Sequence, residues 1–308
     1  MQEGSALRYQ LLVDAGATKT EWCLVSHDAA PAHLYTAGIN ANALSDEEIR
    51  RVLADLQSQL PVPPAQVDYL FFGGAGCGNP LNADRMLRLL SEIFPTARKE
   101  VFSDLMAACR ATCGQQPGLV AIIGTGASSC LYDGTKISAQ APSLGWLLGD
   151  EGSGVYLGKM LITAYLHGEL SPIVTHALEE RYALTPTQTV RNIASDPHPN
   201  RFFATFPPFI NEFLFDESIN QLCHNAFREF FRRFVLCYAD YQSYKLNFVG
   251  SVAFAFQEVI KQVAAEHHVT TSIFLKAPME QYQFIIHNAY CTSQFTIYNL
   301  QFTINMTL

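Results

Sequence analysis

Residues 102–129 read FSDLMAACRATCGQQPGLVAIIGTGASS, and the fold is decided there. Val101 and Phe102 end an apolar run, residues 105–113 have the composition of a short helix, and Gly114 closes it. Asp104 therefore sits at the helix N-terminus, where a carboxylate serves either as a cap or as a general base aimed into a cleft. Residues 119–123 predict a buried strand. After it Gly124-Thr125-Gly126-Ala127-Ser128-Ser129 turns away with no bulky side chain to obstruct an approaching anion. A sharp turn between two strands accounts for the same glycines equally well.

Upstream, residues 9–13 form a short apolar strand that runs into DAGATKTEW from Asp14, and residues 21–26 alternate again as a second strand. The turn between them is neither a Walker A loop nor a GxGxxG turn, so both of those nucleotide-binding readings are excluded. A third strand at 33–37 leads to a polar loop, Gly38-Ile39-Asn40-Ala41-Asn42. Ser45 and Glu48 then make a capping box for an amphipathic helix over 45–60, stopped by Pro61, Pro63 and Pro64. Residues 67–72 read as a strand covered on both faces, opening into a glycine-rich loop from Gly73 to Asn79. A helix over 82–94 and a strand over 100–102 complete an α/β order.

Downstream, Asp133-Gly134 signals a two-residue hairpin between 130–132 and 136–138. A strand, a Gly/Thr/Ser turn and a returning strand have now appeared twice, a pattern that suggests two similarly built halves facing one another. PSLGWLLGDEGSG from Pro142 is too rich in glycine for a regular element and reads as a loop around a ligand, followed by a helix over 155–167. Trp146 beside Asp150 and Glu151 suits a sugar, the ring covering its apolar face while carboxylates accept its hydroxyls. Residues 171–242 are mainly helical, with Phe227, Phe230, Phe231 and Phe234 as a core stripe. A strand over 246–249 ends in Gly250-Ser251-Val252-Ala253, which opens a helix to about residue 266, with His267 and His268 solvated at its end.

The composition, 49% hydrophobic and 16% charged over 308 residues, is that of a globular chain long enough for two cores. A net charge of -8 without a lysine or arginine run argues against nucleic acid and against an anionic membrane. No apolar run reaches the roughly 20 residues of a membrane span, and the first residues lack a signal-peptide pattern, so a cytoplasmic location is expected. Eight scattered cysteines without zinc spacing read as free, mostly buried thiols.

Taken in order, DAGATKTEW, FSDLMAACRATCG, IIGTGASS, PSLGWLLGDEGSG and NFVGSVAFAF resemble the N-acetylglucosamine kinase group of the BadF/BadG/BcrA/BcrD ATPase family, within the actin-like sugar kinase and Hsp70 superfamily. The resemblance spans about residues 9–280. It implies an α/β protein of two ribonuclease-H-like (actin-like ATPase) domains facing a nucleotide cleft, with boundaries expected at 1–103 and 104–280, the second carrying a helical insertion. Gly16, Thr18, Lys19 and Thr20 match the first phosphate loop of the family, and Gly124, Thr125, Gly126 and Ser128 match the second. Asp14 matches the residue that holds Mg2+, Asp104 the catalytic base, and Gly250, Ser251 and Ala253 the adenosine motif. Asn40, Gly145, Trp146 and Asp150 fall where the family binds its amino sugar, with Asn42 competing for the place of Asn40. The expected activity is ATP-dependent phosphorylation of the C6 hydroxyl of an amino sugar, N-acetylglucosamine above others, and a homodimer is left open. The alternatives are an ATPase that drives electron transfer to a dehydratase, which needs paired interface cysteines, and a non-catalytic sugar and nucleotide sensor. Residues 281–308 depart from the family: they contain no Asp, Glu, Lys or Arg, and an out-of-frame reading is expected there.

Overall fold

The computed structural model describes residues 9–26 and 29–281, so the expectation for the tail lies, apart from Gln281, outside the described residues. Two five-stranded sheets are built to one plan. In the first, β1 (Tyr9–Ala15), β2 (Lys19–Ser26) and β3 (Ala32–Ala37) form an antiparallel meander. β4 (Val67–Gly74) and β5 (Arg98–Ser103) add in parallel beyond β1, for the order β3-β2-β1-β4-β5. In the second, β6 (Gly118–Ile123), β7 (Ala127–Tyr132), β8 (Ile137–Gln140), β9 (Leu246–Val249) and β10 (Thr271–Leu275) repeat it as β8-β7-β6-β9-β10, with the same strand senses. The duplicated pattern in the sequence is therefore a duplicated topology, and the chain has the two-domain α/β fold.

The layers follow from strand alternation. Leu11 and Val13 of β1 face α1 (Asp46–Gln59) and α2 (Pro80–Ile93), packing in one core with Ile49, Leu53, Met86 and Leu90. Leu12 points the other way and joins Phe71, Phe102 and the alanine side of α3 (Asp104–Cys113). That cluster also takes in Val120, Cys130 and Tyr132 of the second sheet, so α3 is a middle layer shared by both sheets. Ala107, Ala108 and Ala111 leave the helix slim enough for that place.

The far face of the second sheet buries Leu119, Ala121 and Ile123 under α5 (Gly154–His167), α10 (Glu217–Phe234) and α12 (Gln257–Glu266). The predicted phenylalanine stripe lies buried in this core. Between α5 and α10 run α6 (Pro172–Tyr182), α7 (Pro186–Ser195), α8 (Pro199–Phe203) and α9 (Pro207–Glu212), each opening on a proline, whose missing N–H costs nothing in a first turn.

Local predictions hold where the chemistry is local. The Ser45 capping box forms as read, with Ser45 N–H donating to Glu48 Oε2 at 2.7 Å. The helix at α2 begins earlier than the expected residue 82, because Asn79 caps it and Pro80 fits its first turn. The Asp133 hairpin is longer than two residues: the Asp133 carboxylate accepts from the Thr135 and Lys136 N–H groups and draws both into the turn. The helix after Gly250 is broken at Phe256 into α11 (Ser251–Ala255) and α12. His267 is not solvated; its ring stacks on Phe231 with centroids 5.7 Å apart and its Nε2 is buried, whereas His268 is exposed. Among the described residues the cysteines are free, and no helix is long and apolar enough to cross a membrane.

Candidate active site

Asp14 is the next-to-last residue of β1, on the face that carries Leu12. The register sets it opposite Glu21 on β2 and Gly73 on β4, and Gly73 in turn opposite Phe102 on β5. A Cβ at Gly73 would stand 2.8 Å from the Ala107 Cβ and 3.0 Å from Phe102 Cε2, so glycine there lets α3 settle onto the sheet. Asp104, the first residue of α3, is thereby brought into the electrostatic field of Asp14.

The helix cap at this junction is the residue before Asp104. Ser103 is the cap, its Oγ accepting from Met106 N–H at 3.1 Å, while Asp104 Oδ1 accepts from Leu105 N–H at 2.8 Å and the residue remains partly exposed. Burial holds the Asp104 carboxyl above the ordinary carboxylate range, against the opposing pull of N–H groups from Leu105 and from Asp104 itself. Asp14 is pushed up to about 7, first by burial, then by Asp104 and Glu21, with Lys19 pulling the other way. Cys77 lies in the same field and is pushed up to about 12, chiefly by burial and then by Asp104, which keeps it a thiol at neutral pH.

The first turn is compact. Gly16 N–H donates to Lys19 O at 3.0 Å, and Gly38 N–H donates to Thr18 O at 3.2 Å. A Cβ at Gly38 would be 2.4 Å from Ala17 O, so the loop that follows β3 leans directly on the turn. Thr18 and Lys19 are exposed, with the Lys19 ammonium 4.4 Å over the Tyr35 ring. Thr20 is fully buried, and its hydroxyl accepts from Ile39 N–H at 3.1 Å; it holds the Asn40 loop rather than facing the turn. Asn40 bridges to Ala75, and its Oδ1 accepts from Asn42 N–H at 2.9 Å. The side-chain oxygen of Asn42 is likewise engaged, accepting from Asn82 Nδ2 at 2.6 Å.

The second turn sits at the equivalent end of β6. Gly124 N–H donates to Gly126 O at 3.0 Å, and the start of α5 docks on the turn through Gly154 N–H to Gly124 O, 2.8 Å, and Val155 N–H to Thr125 O, 3.3 Å. Thr125 is exposed, Ser128 half-buried, and a Cβ at Gly124 would meet nothing within 4 Å, which leaves the open cradle an anion requires. Gly250, at φ +121°, lies against the same turn: a Cβ there would be 2.3 Å from Ile123 O. Ser251 is exposed beside it, whereas Ala253 is buried in the second core.

The aromatic loop divides in two. Gly145 (φ +70°) opens α4 (Gly145–Leu148), where Trp146 is half-buried and its carbonyl accepts from Lys159 Nζ at 2.7 Å. Asp150 is buried at φ +57°; its carboxylate accepts from Ala127 N–H and lies where a Cβ on Gly126 would meet Oδ2 at 3.0 Å. It thus braces the second turn. A cavity of about 850 Å³ opens between α5 and α10, lined by Lys159, Glu169, Asp216 and Gln221 among others, and contains none of the predicted site residues.

Among the described residues no group of three His, Cys, Asp or Glu side chains is set out as a metal centre. A magnesium ion shared with phosphates needs only one or two protein carboxylates, and a cation would relieve the mutual repulsion of Asp14, Glu21 and Asp104, so Asp14 fits that role. Glu21 was missed by motif reading; the hairpin register, which pairs it with Asp14, is the signal that could have found it.

No family model matches the chain. An N-acetylmuramic acid/N-acetylglucosamine kinase of Clostridium acetobutylicum is 26% identical over 167 residues, 52% of this chain, and the match spans 54% of the length of that relative. A solved structure of a candidate N-acetylglucosamine kinase from Porphyromonas gingivalis is 35% identical, covers 91% of this chain and 99% of its own, and superposes at a TM-score of 0.86. Another, from Chromobacterium violaceum, shares 19% identity over 92% of this chain and 99% of its own at a TM-score of 0.68, and bears on the fold alone. On the near-complete match to the Porphyromonas gingivalis protein, the chain belongs to the N-acetylglucosamine kinase-like family of actin-like sugar kinases.

Proposed function

We propose that this chain transfers the γ-phosphoryl group of ATP to the C6 hydroxyl of an amino sugar, with N-acetylglucosamine the first substrate to test. The observation that carries the reading is the pair of carboxylates at one sheet rim, Asp104 at a helix start with its pKa held up and Asp14 beside it. Asp104 is the general base, accepting the proton of the C6 hydroxyl as its oxygen attacks phosphorus. The N–H groups and hydroxyls of the turns at Gly16–Thr18 and Gly124–Gly126 hold the triphosphate, and Gly250 and Ser251 face the adenosine. Asp14 holds magnesium, which when bound neutralises charge on the phosphates. Asn40 and Trp146 bind the sugar, and Asp150 keeps the second turn in place. The lobes meet at residues 103 and 104, where the chain passes from β5 into α3.

A panel of hexoses and hexosamines with ATP and magnesium, with the phosphorylated position read by NMR, tests the reading. Formation of the 6-phosphate of N-acetylglucosamine is the expected result. ATP hydrolysis with no sugar phosphate formed from any member of the panel would remove it.

A further inference from the structure

We infer that Lys159 is the positioning residue that sets Trp146 for the acceptor sugar, an inference that rests on the kinase reading above. The loop around Trp146 has little packing of its own. Leu144, Leu147 and Leu148 are 59%, 69% and 74% exposed, and the one-turn helix closes on itself through Gly149 N–H to Gly145 O at 2.8 Å. The Trp146 ring itself is half-buried against the second core, so what fixes its setting is the tie between this exposed turn and the helix beneath it.

Helix α5 provides that tie. Lys159 Nζ donates to the Trp146 carbonyl at 2.7 Å and stands 5.9 Å from the Trp146 ring centroid and 5.6 Å from that of Tyr156, one turn earlier on the same helix face. The ammonium is thus gripped by a carbonyl and two aromatic rings. Burial lowers the Lys159 pKa from its ordinary value, and the carboxylates of Asp150 and Glu151 pull the other way. The N-terminus of α5 is itself docked on the second phosphate turn through Gly154 and Val155. One helix therefore references both the phosphate cradle and the sugar-binding ring.

The chain has two tryptophans, and Trp22 is fully buried, so the fluorescence difference between wild type and Trp146→Phe isolates Trp146. Lys159→Met keeps the length of the side chain and removes the donor and the charge. Its Trp146 emission should shift to the red, with stronger acrylamide quenching, and its KM for N-acetylglucosamine should rise about tenfold, the loss expected for a charged hydrogen bond. Because the effect falls on the sugar in ground and transition state alike, kcat and the KM for ATP should stay at wild-type values. Lys159→Arg, which retains a donor and a cation over the rings, should restore both readouts. Unchanged Trp146 emission in Lys159→Met, or an unchanged sugar KM, overturns the inference. A wild-type chain that phosphorylates no hexosamine would instead defeat the kinase reading, so the two failures are separate.

Discussion

Asp14 and Asp104 share one partly buried rim, and the Asp104 carboxylate raises the cost of ionising Asp14. Removing the base while keeping its shape is the cleanest test of the chemistry. Asp104→Asn should lose about 10² to 10⁴ in kcat with ATP affinity retained, as measured by steady-state kinetics and nucleotide titration. Asp14 makes a different prediction. With its folded-state pKa at about 7, well above the ordinary carboxylate value, the folded chain keeps a proton that the unfolded chain releases. In chelator, stability should therefore fall as pH rises from about 4 through about 7. Asp14→Asn should flatten that decline, and thermal melts of both proteins across the range check it. At this scale the sequence was legible wherever a residue acts through near neighbours: the Ser45 box, the glycine turns, Asp104 after a strand. It was silent on Thr20, whose hydroxyl turns inward to Ile39, and on Glu21 and Lys159, whose positions are set by strand register and by a helix contact thirteen residues away.

Among the elements, α3 is the one whose placement brings Asp104 to Asp14. Its N-terminus comes down beside Asp14 because Gly73 has no side chain to hold it off. Gly73→Ala should force a shift of α3 at a cost of about 1–3 kcal/mol, seen as a lower urea midpoint, and should reduce kcat more than it weakens ATP binding. The hairpin signals predicted the two meanders, since they depend on local chemistry. The extended Asp133 turn and the break at Phe256 were not legible, because a side-chain oxygen and tertiary packing decided them. The sharing of α3 between two sheets leaves no mark in its sequence beyond a run of small residues.

For the whole molecule, two sheets of identical order present equivalent turns from opposite lobes, joined through one helix. Occupation of both the nucleotide and sugar sites should draw the lobes together and exclude water from the reacting phosphate. Small-angle scattering should show a smaller radius of gyration with a non-hydrolysable ATP analogue and N-acetylglucosamine together than with neither; equal radii would argue for a rigid cleft. Residues Gln115, Gln116 and Pro117, which follow α3, are exposed, yet the helix just before them is buried against strands that come after. A protease nick at that loop would consequently separate the polypeptide without separating the fold: the N-terminal piece carries the plug, the C-terminal piece carries its socket, and the severed halves remain mates.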